Sequence, residues 1–336
     1  MRDNAAYNIV LTNDCAIRCG HCFIKKRSIK SLDIQTVARI TSRILSYDKC
    51  QDINWGGGEP LTRGREYFRS LVSLECFGNS KTRNLLYSTF QLTPDNDWKD
   101  ILNRFNAVMF SIDSYRAVQP RFDQDRAIST LGRLTAAKHI SYTPKASDTP
   151  EHVARYYSQA ADLGAEMFHV GFLYSESLIP PSTYLRLLDY LLDLQEKQQG
   201  PRIGFFHKAN LYAGNPKCAV GWRAFDCFDK GVYFSHDGVM TSCYIMYSLG
   251  YPVPHVRTSD FLEGNATLFD ANRDFIASEF IRAKRHTCQP CEYYTLCMGG
   301  CPYFTSRSEN GVDYYCQVYK KIFRLLLAEI QSEVMQ

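Results

Sequence analysis

The 336-residue chain is 45% apolar and 22% charged, with a formal net charge of +4, enough to bury one large core or two smaller ones. No run of about 18 apolar residues and no apolar core behind Met1-Arg-Asp-Asn marks a membrane span or an export signal, so a cytoplasmic protein is expected. Thirteen cysteines in that reducing setting point to metal ligation over disulfides.

The apolar run Ile9-Val-Leu11 reads as a first strand, and Cys15-Ala-Ile-Arg-Cys19-Gly-His-Cys22 follows directly. Three close thiolates can wrap one face of a four-iron cubane and leave one iron open to an exchangeable ligand; a zinc loop is the competing reading. Asp33 can cap a helix whose Ile34, Val37, Ile40, Ile44 and Leu45 share a face. Asp52-Ile-Asn-Trp55 reads as a buried strand, and Gly56-Gly-Gly-Glu59-Pro60 would bring backbone N–H groups and one carboxylate close to a ligand. Tyr67, Phe68, Leu71 and Leu74 then mark a second helix.

The third expected strand, residues 85–89, ends in Ser88 and Thr89, and the fourth, 108–113, ends in Ser111 and Asp113. Strand C-termini are where parallel α/β folds hold ligands, although turn-forming residues belong there too. Residues 139–145 and 167–172 supply the fifth and sixth strands, with Thr149 and Pro150 opening a helix between them. His169 reads as a core or barrel-lumen residue. A helix over 182–198 ends at Gly200-Pro201. Short apolar runs alternating with helical periodicity give six βα units on a parallel sheet, with a domain boundary at residue 200 separating 1–200 from 201–336.

Beyond the boundary the cysteines return. Cys218 and Cys227 precede two short strands, 231–235 and 239–243, that flank His236-Asp-Gly238 as a hairpin and carry Cys243 at its end. Cys288, Cys291, Cys297, Cys301 and Cys316 complete a set of eight. Zinc could use four of them, and eight also divide into two four-thiolate cubanes. Cys50 and Cys76 are left over as inert buried thiols. The chain closes on an amphipathic helix, 322–334, with Leu325, Leu326 and Ile330 inward and Lys321 and Arg324 outward.

The cysteine loop after a first strand and the GGEP turn after a second resemble the radical S-adenosylmethionine (SAM) enzymes. The later cysteines resemble their SPASM domain: Cys227, Gly238, Cys243, Cys288, Cys291, Cys297, Cys301 and Cys316 fall on its pattern. The resemblance implies a partial (β/α)6 TIM-type barrel with a small cysteine-rich α+β SPASM extension. It implies SAM and three [4Fe–4S] clusters: one on Cys15, Cys19 and Cys22, a nearer auxiliary one on Cys218, Cys227, Cys243 and Cys301, and an outer one on Cys288, Cys291, Cys297 and Cys316. With each four-thiolate cubane contributing roughly −2, the holoprotein would be near neutral, so no nucleic-acid partner is inferred. Gly57, Gly58 and Glu59 would hold the SAM methionine end, with Ser88, Ser111 and Asp113 near its ribose and carboxylate. Ser114 stands where the family has a glycine, and the arginine that follows is Arg116 or Arg121.

In such enzymes an electron from a flavodoxin or ferredoxin cleaves SAM to a 5′-deoxyadenosyl radical that takes a hydrogen atom from the substrate. The auxiliary clusters would accept the remaining electron, for a two-electron oxidation such as a cross-link or dehydrogenation. Tyr244, with His236 and Asp237 beside it, is the candidate for the base that removes the proton. A sulfatase-maturing enzyme, which oxidises Ser or Cys to formylglycine, carries an Asp immediately after the hairpin cysteine; Tyr244 stands there and argues against that type. A non-catalytic electron carrier or zinc scaffold leaves the cysteine loop and GGGEP together unexplained.

About six residues precede the first expected strand and the chain stops shortly after its last cysteine, so no winged-helix leader-binding module is expected. The substrate expected is a ribosomally made peptide, recognised by a cleft lined by Tyr233, Phe234, Tyr293, Tyr294 and Tyr303 or through a separate leader-binding protein. A small alcohol or sugar is the alternative.

Overall fold

The computed structural model describes residues 6–17, 19–24, 28–46, 52–91, 95–112, 115, 119, 121–174, 178–197, 200–204, 231–265, 286–297 and 299–334. Cys50, Asp113, Ser114, Arg116, Cys218 and Cys227 lie outside these residues. Strands β1 (Ala6–Thr12), β2 (Asp52–Gly57), β3 (Arg83–Tyr87), β4 (Ala107–Ser111), β5 (Ala137–Tyr142) and β6 (Met167–Val170) pair in chain order, each parallel to the next. Between them come α1 (Ile34–Leu45), α2 (Arg65–Val72), α3 (Glu75–Gly78), α4 (Asn96–Leu102), α5 (Gln124–Gly132) and α6 (Pro150–Asp162), and α7 (Pro181–Lys197) follows β6. The expected βα alternation is therefore present, and the sheet stays open, ending on one side at β7 (Arg202–Ile203), so the barrel is partial.

Local chemistry sets these elements. Asp33 caps α1 by accepting the Thr36 N–H at 2.7 Å and the Thr36 hydroxyl at 2.8 Å. Thr149 and His152 form a reciprocal capping box at α6, with Pro150 in the first turn. Strand alternation then sorts the two faces. Ile9, Leu11, Ile53, Trp55, Leu86, Phe110, Ile140 and Phe168 are buried in the same core as Val37, Ile40 and Ile44 of α1 and Phe68 and Leu71 of α2. On the other face Asn8, Asn54, Ser111 and Ser141 look into the barrel, where Asn54 donates to Asn8 Oδ1 at 3.0 Å. Cys76 is fully buried in the core.

The hairpin does more than the sequence suggested. β8 (Gly231–Phe234) pairs parallel to β1, with Tyr233 opposite Asn8, so the cysteine-rich extension continues the barrel sheet on the side of the first strand. β9 (Val239–Thr241) returns antiparallel to β8, and β10 (His255–Arg257) forms the outer edge. The residue-200 division falls between α7 and β7, and β7 still pairs with β6. α8 (Tyr244–Leu249) and α9 (Thr258–Leu262) flank β10, followed by α10 (Tyr294–Cys297), α11 (Pro302–Thr305) and α12 (Cys316–Val334). The last helix thus starts six residues before the expected Ile322. Lys321, expected to face outward, is half-buried against α7, paired with Asp189 and donating to the Leu185 carbonyl at 3.4 Å. Among the described residues no helix is long and apolar enough to cross a membrane.

Candidate active site

β1 runs straight into the cysteine loop, and buried polar side chains fix its exit. Asn13, 2% exposed, donates to the Ser28 carbonyl at 2.7 Å and accepts the Lys30 N–H at 2.8 Å. The Gly58 N–H donates to the Thr12 carbonyl at 2.8 Å and the Glu59 N–H to the Asp14 carbonyl at 2.6 Å. A Cβ on Gly57, which has φ +141, would stand 2.3 Å from Thr12 O, and one on Gly58 would stand 2.3 Å from Asp14 O. The glycines are needed because two backbones touch there. The N–H groups of Gly58 and Glu59, expected to face a ligand, are committed to the entrance of the cysteine loop. Along that loop Cys15 and Cys19 are half-buried and Cys22 is exposed, with the Cys22 N–H on the Cys19 carbonyl at 3.1 Å.

Glu59 is 6% exposed and its carboxylate is already surrounded. Oε1 accepts the Leu61 N–H at 3.0 Å and the Ser88 hydroxyl at 2.8 Å; Oε2 accepts the Thr89 N–H at 2.7 Å and the Thr89 hydroxyl. A carboxylate has about four lone-pair sites, and these four donors use them. Glu59 and Ser88 therefore meet each other here, tying the end of β2 to the end of β3. The next residue, buried Phe90, has φ 51, and its N–H donates to the Ser88 hydroxyl at 2.9 Å, so a left-handed turn aims both hydroxyl residues at the carboxylate.

A cavity of about 280 Å³ lies where the cysteine loop, the glycine turn and the hairpin converge. His21, Phe23 and Ile24 line it from the loop, Gly56 and Gly57 from the turn, Ser111 and Ser141 from the strands, and Tyr233, Tyr244 and Ile245 from the extension. Ser111 is thus placed at the cavity. Arg121 is exposed and is not among the lining residues, and Asp113 lies outside the described residues. The lining includes no Asp, Glu, Lys or Arg among the described residues. Asn8, Asn54 and Phe23 were missed from the sequence; the period-2 position of the two asparagines in otherwise apolar strands was the available signal.

Tyr244 is 3% exposed, with its ring edge-on to Phe23 at 6.1 Å and stacked on Tyr233 at 6.2 Å. Burial pushes its phenol well above the usual range, so it stays protonated. Its oxygen lies 3.1 Å from His236 Nδ1, which also stands 3.3 Å from the Ser235 hydroxyl. Burial holds the His236 imidazole below its ordinary pKa, against the pull of Asp237 and with a smaller push from Lys30. With the phenol protonated and burial favouring the neutral imidazole, the two share a hydrogen bond whose direction is set by the imidazole tautomer; with the proton on Nε2, Nδ1 accepts from Tyr244. Asp237 instead takes the Tyr247 hydroxyl at 2.9 Å.

In the extension Cys288, Cys291, Cys297 and Cys316 stand around a second cavity of about 120 Å³, with Tyr293 and Tyr294 in its wall. The ten described cysteines form no disulfide. Among the described residues no three Cys, His, Asp or Glu side chains converge on a single-ion site. Four thiols spread around a small cavity suit a cluster with volume of its own. Cys243 and Cys301 sit at the N-termini of α8 and α11, both half-buried. Phe234 belongs to the main core, and Tyr303 packs on Tyr251 at 5.6 Å and Tyr174 at 5.5 Å, so the five expected cleft aromatics divide among three places.

No protein-family model matches the chain. It is 24% identical, over an alignment of 360 positions covering 93% of each protein, to a cysteine-type anaerobic sulfatase-maturating enzyme of Clostridium perfringens (strain 13 / Type A). Its fold is similar to native anSMEcpe with bound AdoMet and Kp18Cys peptide, with TM-score 0.75, 19% identity and coverage of 97% of this chain and 98% of that one. It is also similar to Streptococcus suis SuiB bound to the precursor peptide SuiA, with TM-score 0.65, 16% identity and coverage of 92% and 74%. The resemblance first seen in the motifs thus runs along nearly the whole chain, and the architecture is that of a radical SAM enzyme with a SPASM extension. Within that class the sequence likeness is to cysteine-type sulfatase-maturating enzymes, at 24% and 22% identity for the two Clostridium perfringens strains.

Proposed function

We propose that this chain is a radical SAM enzyme that oxidises a side chain of a peptide by two electrons. The observation that carries the reading is the convergence of the cysteine loop, the glycine turn and the hairpin on one cavity without charged lining among the described residues. Two of the proteins it resembles were captured with peptides, Kp18Cys and SuiA. Cys15, Cys19 and Cys22 would hold the cluster that cleaves SAM, and the cluster and SAM together would supply the power to remove a hydrogen atom from an unactivated C–H bond. Cys218, Cys227, Cys243 and Cys301, and Cys288, Cys291, Cys297 and Cys316, would hold the two auxiliary clusters.

This chain's own residues do the rest. Phe23, Phe172, Leu173 and Tyr174 wall the cavity with apolar surface that excludes water from a reacting radical. Tyr244 carries the departing proton to His236, which burial keeps neutral and able to accept it. One hydrogen leaves as an atom and the other as a proton plus an electron, so the product is two hydrogens lighter.

The sequence relatives favour a second form of the same reading, oxidation of a peptide cysteine, with the Tyr244–His236 pair in place of the aspartate expected after Cys243. The test is to incubate reduced enzyme and SAM with cysteine- or serine-containing peptides and with peptides encoded beside its gene, following mass. A loss of two hydrogens in a peptide is expected, followed, where a cysteine is oxidised to a thioaldehyde, by its hydrolysis with loss of hydrogen sulfide to formylglycine. Deoxyadenosine formation stimulated by a small alcohol, with every peptide unchanged, would sink the peptide reading.

A further inference from the structure

One buried carboxylate stands between the two cysteine groups of the extension, outside the cysteine pattern. Asp313 is 4% exposed. Its Oδ2 accepts the Cys301 N–H at 2.5 Å, its Oδ1 accepts the Tyr315 N–H at 2.7 Å, and its own carbonyl accepts the Cys316 N–H at 2.9 Å. The carboxylate occupies space that only a glycine leaves, because Gly300 has φ +77 and a Cβ there would stand 2.4 Å from Oδ2. The Gly300 N–H in turn donates to the Cys297 carbonyl at 3.1 Å. Cys297 and Cys301 are thus tied together through Gly300 and the Asp313 side chain, and Cys316 joins them through the Asp313 carbonyl and through Tyr315, whose N–H the same side chain holds. Asp313 also lines the cavity that Cys288, Cys291, Cys297 and Cys316 surround, where Lys320 is the other charged residue among the described lining.

We propose that Asp313 is a positioning residue for both auxiliary clusters, fixing Cys301 of the nearer site and Cys316 of the outer one as a single unit and lowering the outer cluster's reduction potential. The inference rests on the reading that the extension binds clusters. Two backbone N–H groups converge on this side chain, an arrangement a carboxylate satisfies with both oxygens and a carboxamide with only one. A negative charge beside a cluster favours its oxidised form, and charge, hydrogen bonds and burial are what set such potentials.

The test uses the full chain carrying Cys15→Ala, Cys19→Ala and Cys22→Ala, so that remaining iron reports the extension alone, at about eight irons per chain. A parent without iron fails the functional reading itself and takes this inference with it, before Asp313 is touched. Given iron in the parent, Asp313→Ala and Gly300→Ala are each expected to shed iron, and retention of the parent's full complement by both overturns the positioning role. Asp313→Asn, which keeps an acceptor and removes the charge, is expected to move the potential of an auxiliary cluster to more positive values in a redox titration followed by electron paramagnetic resonance. An unchanged potential overturns the electrostatic role. If Asp313→Asn also sheds iron, Asp313→Glu decides: restored iron at the parent's potential supports the proposal, and a chain as depleted as the Asn variant overturns it.

Discussion

In the barrel half the buried side chains recur at fixed spacing, Ile9 and Leu11 on β1, Ile53 and Trp55 on β2, Val37, Ile40 and Ile44 on α1. In the extension such spacing is clearest on α12, where Val318, Ile322 and Leu326 are buried. Phe304 gathers rings from separate segments, Phe172 at 5.8 Å, Tyr174 at 4.9 Å and Tyr315 at 4.7 Å, beside its neighbour Tyr303 at 5.2 Å, and the Tyr315 hydroxyl donates to the Ile179 carbonyl at 3.0 Å. One region is organised by secondary-structure periodicity, the other by side chains that its loops bring to shared points. A change in the barrel should therefore act through a strand or helix face, and a change in the extension through a hub.

The largest expected effect is at the loop where the two regions meet the cavity. Changing Cys15, Cys19 and Cys22 to Ala should abolish SAM cleavage and reduce iron from about twelve to about eight per chain if each proposed site holds a cubane. Iron analysis and deoxyadenosine assay check it. Stoichiometric zinc in the remaining sites would remove the auxiliary clusters.

Next comes the contrast itself. Phe304→Ala and Phe68→Ala each delete a fully buried ring and should cost about 3–5 kcal/mol. Because β8 is hydrogen-bonded to β1 in a common sheet, both variants should lower the midpoint of a single unfolding transition. Two separate transitions in urea, with only one moved by Phe304→Ala, would show that the regions fold apart.

Glu59 sharpens the barrel side. Ala there strands the buried donors of Leu61, Ser88 and Thr89 and should cost roughly 3 kcal/mol, whereas Gln, which keeps one acceptor oxygen, should cost about 1 kcal/mol. If the carboxylate is a brace, Glu59→Gln should bind SAM nearly as the parent does in equilibrium dialysis. A large loss of affinity in the Gln variant would mean that the carboxylate contacts the ligand's ammonium directly.

Much of the barrel could be read in advance because strand and helix periods map directly onto faces. The six parallel strands, the Asp33 cap and the Thr149-Pro150 helix start all rest on rules of short range. The extension was legible through the hairpin turn at His236-Asp-Gly238, through its final helix and through cysteine spacing, whose Cys288, Cys291, Cys297 and Cys316 stand around one cavity in the structure. Three features stayed out of reach because each depends on contacts distant in sequence. β8 joins β1 across 224 positions of chain, as the Asn8 to Val232 hydrogen bond measures. The saturation of Glu59 needs a left-handed turn at Phe90, a residue type that gives no sign of one. Asp313 looks like an ordinary loop acid until Gly300 and Cys301 are seen beneath it.

The smallest expected effect lies at the hairpin, where the extension lends its polar groups to the barrel cavity. His236 faces Tyr244, Ser235, Asp237 and the charge of Lys30, and its imidazole is held below the ordinary value near 6.5 mainly by burial. As proton acceptor it must be neutral, so activity should fall on acidification only once pH drops below that ordinary value, through the depressed folded pKa. His236→Gln should remove this acid limb. Asp237→Asn takes away a charge that raises the imidazole pKa, so the limb should move to lower pH; Lys30→Met takes away one that lowers it, so the limb should move to higher pH. The pH dependence of kcat/KM, measured with the mass-shifted product, reads both. An acid limb that ignores both substitutions but vanishes in Tyr244→Phe would transfer the proton-accepting role from the imidazole to the phenol, despite the burial that keeps that phenol protonated.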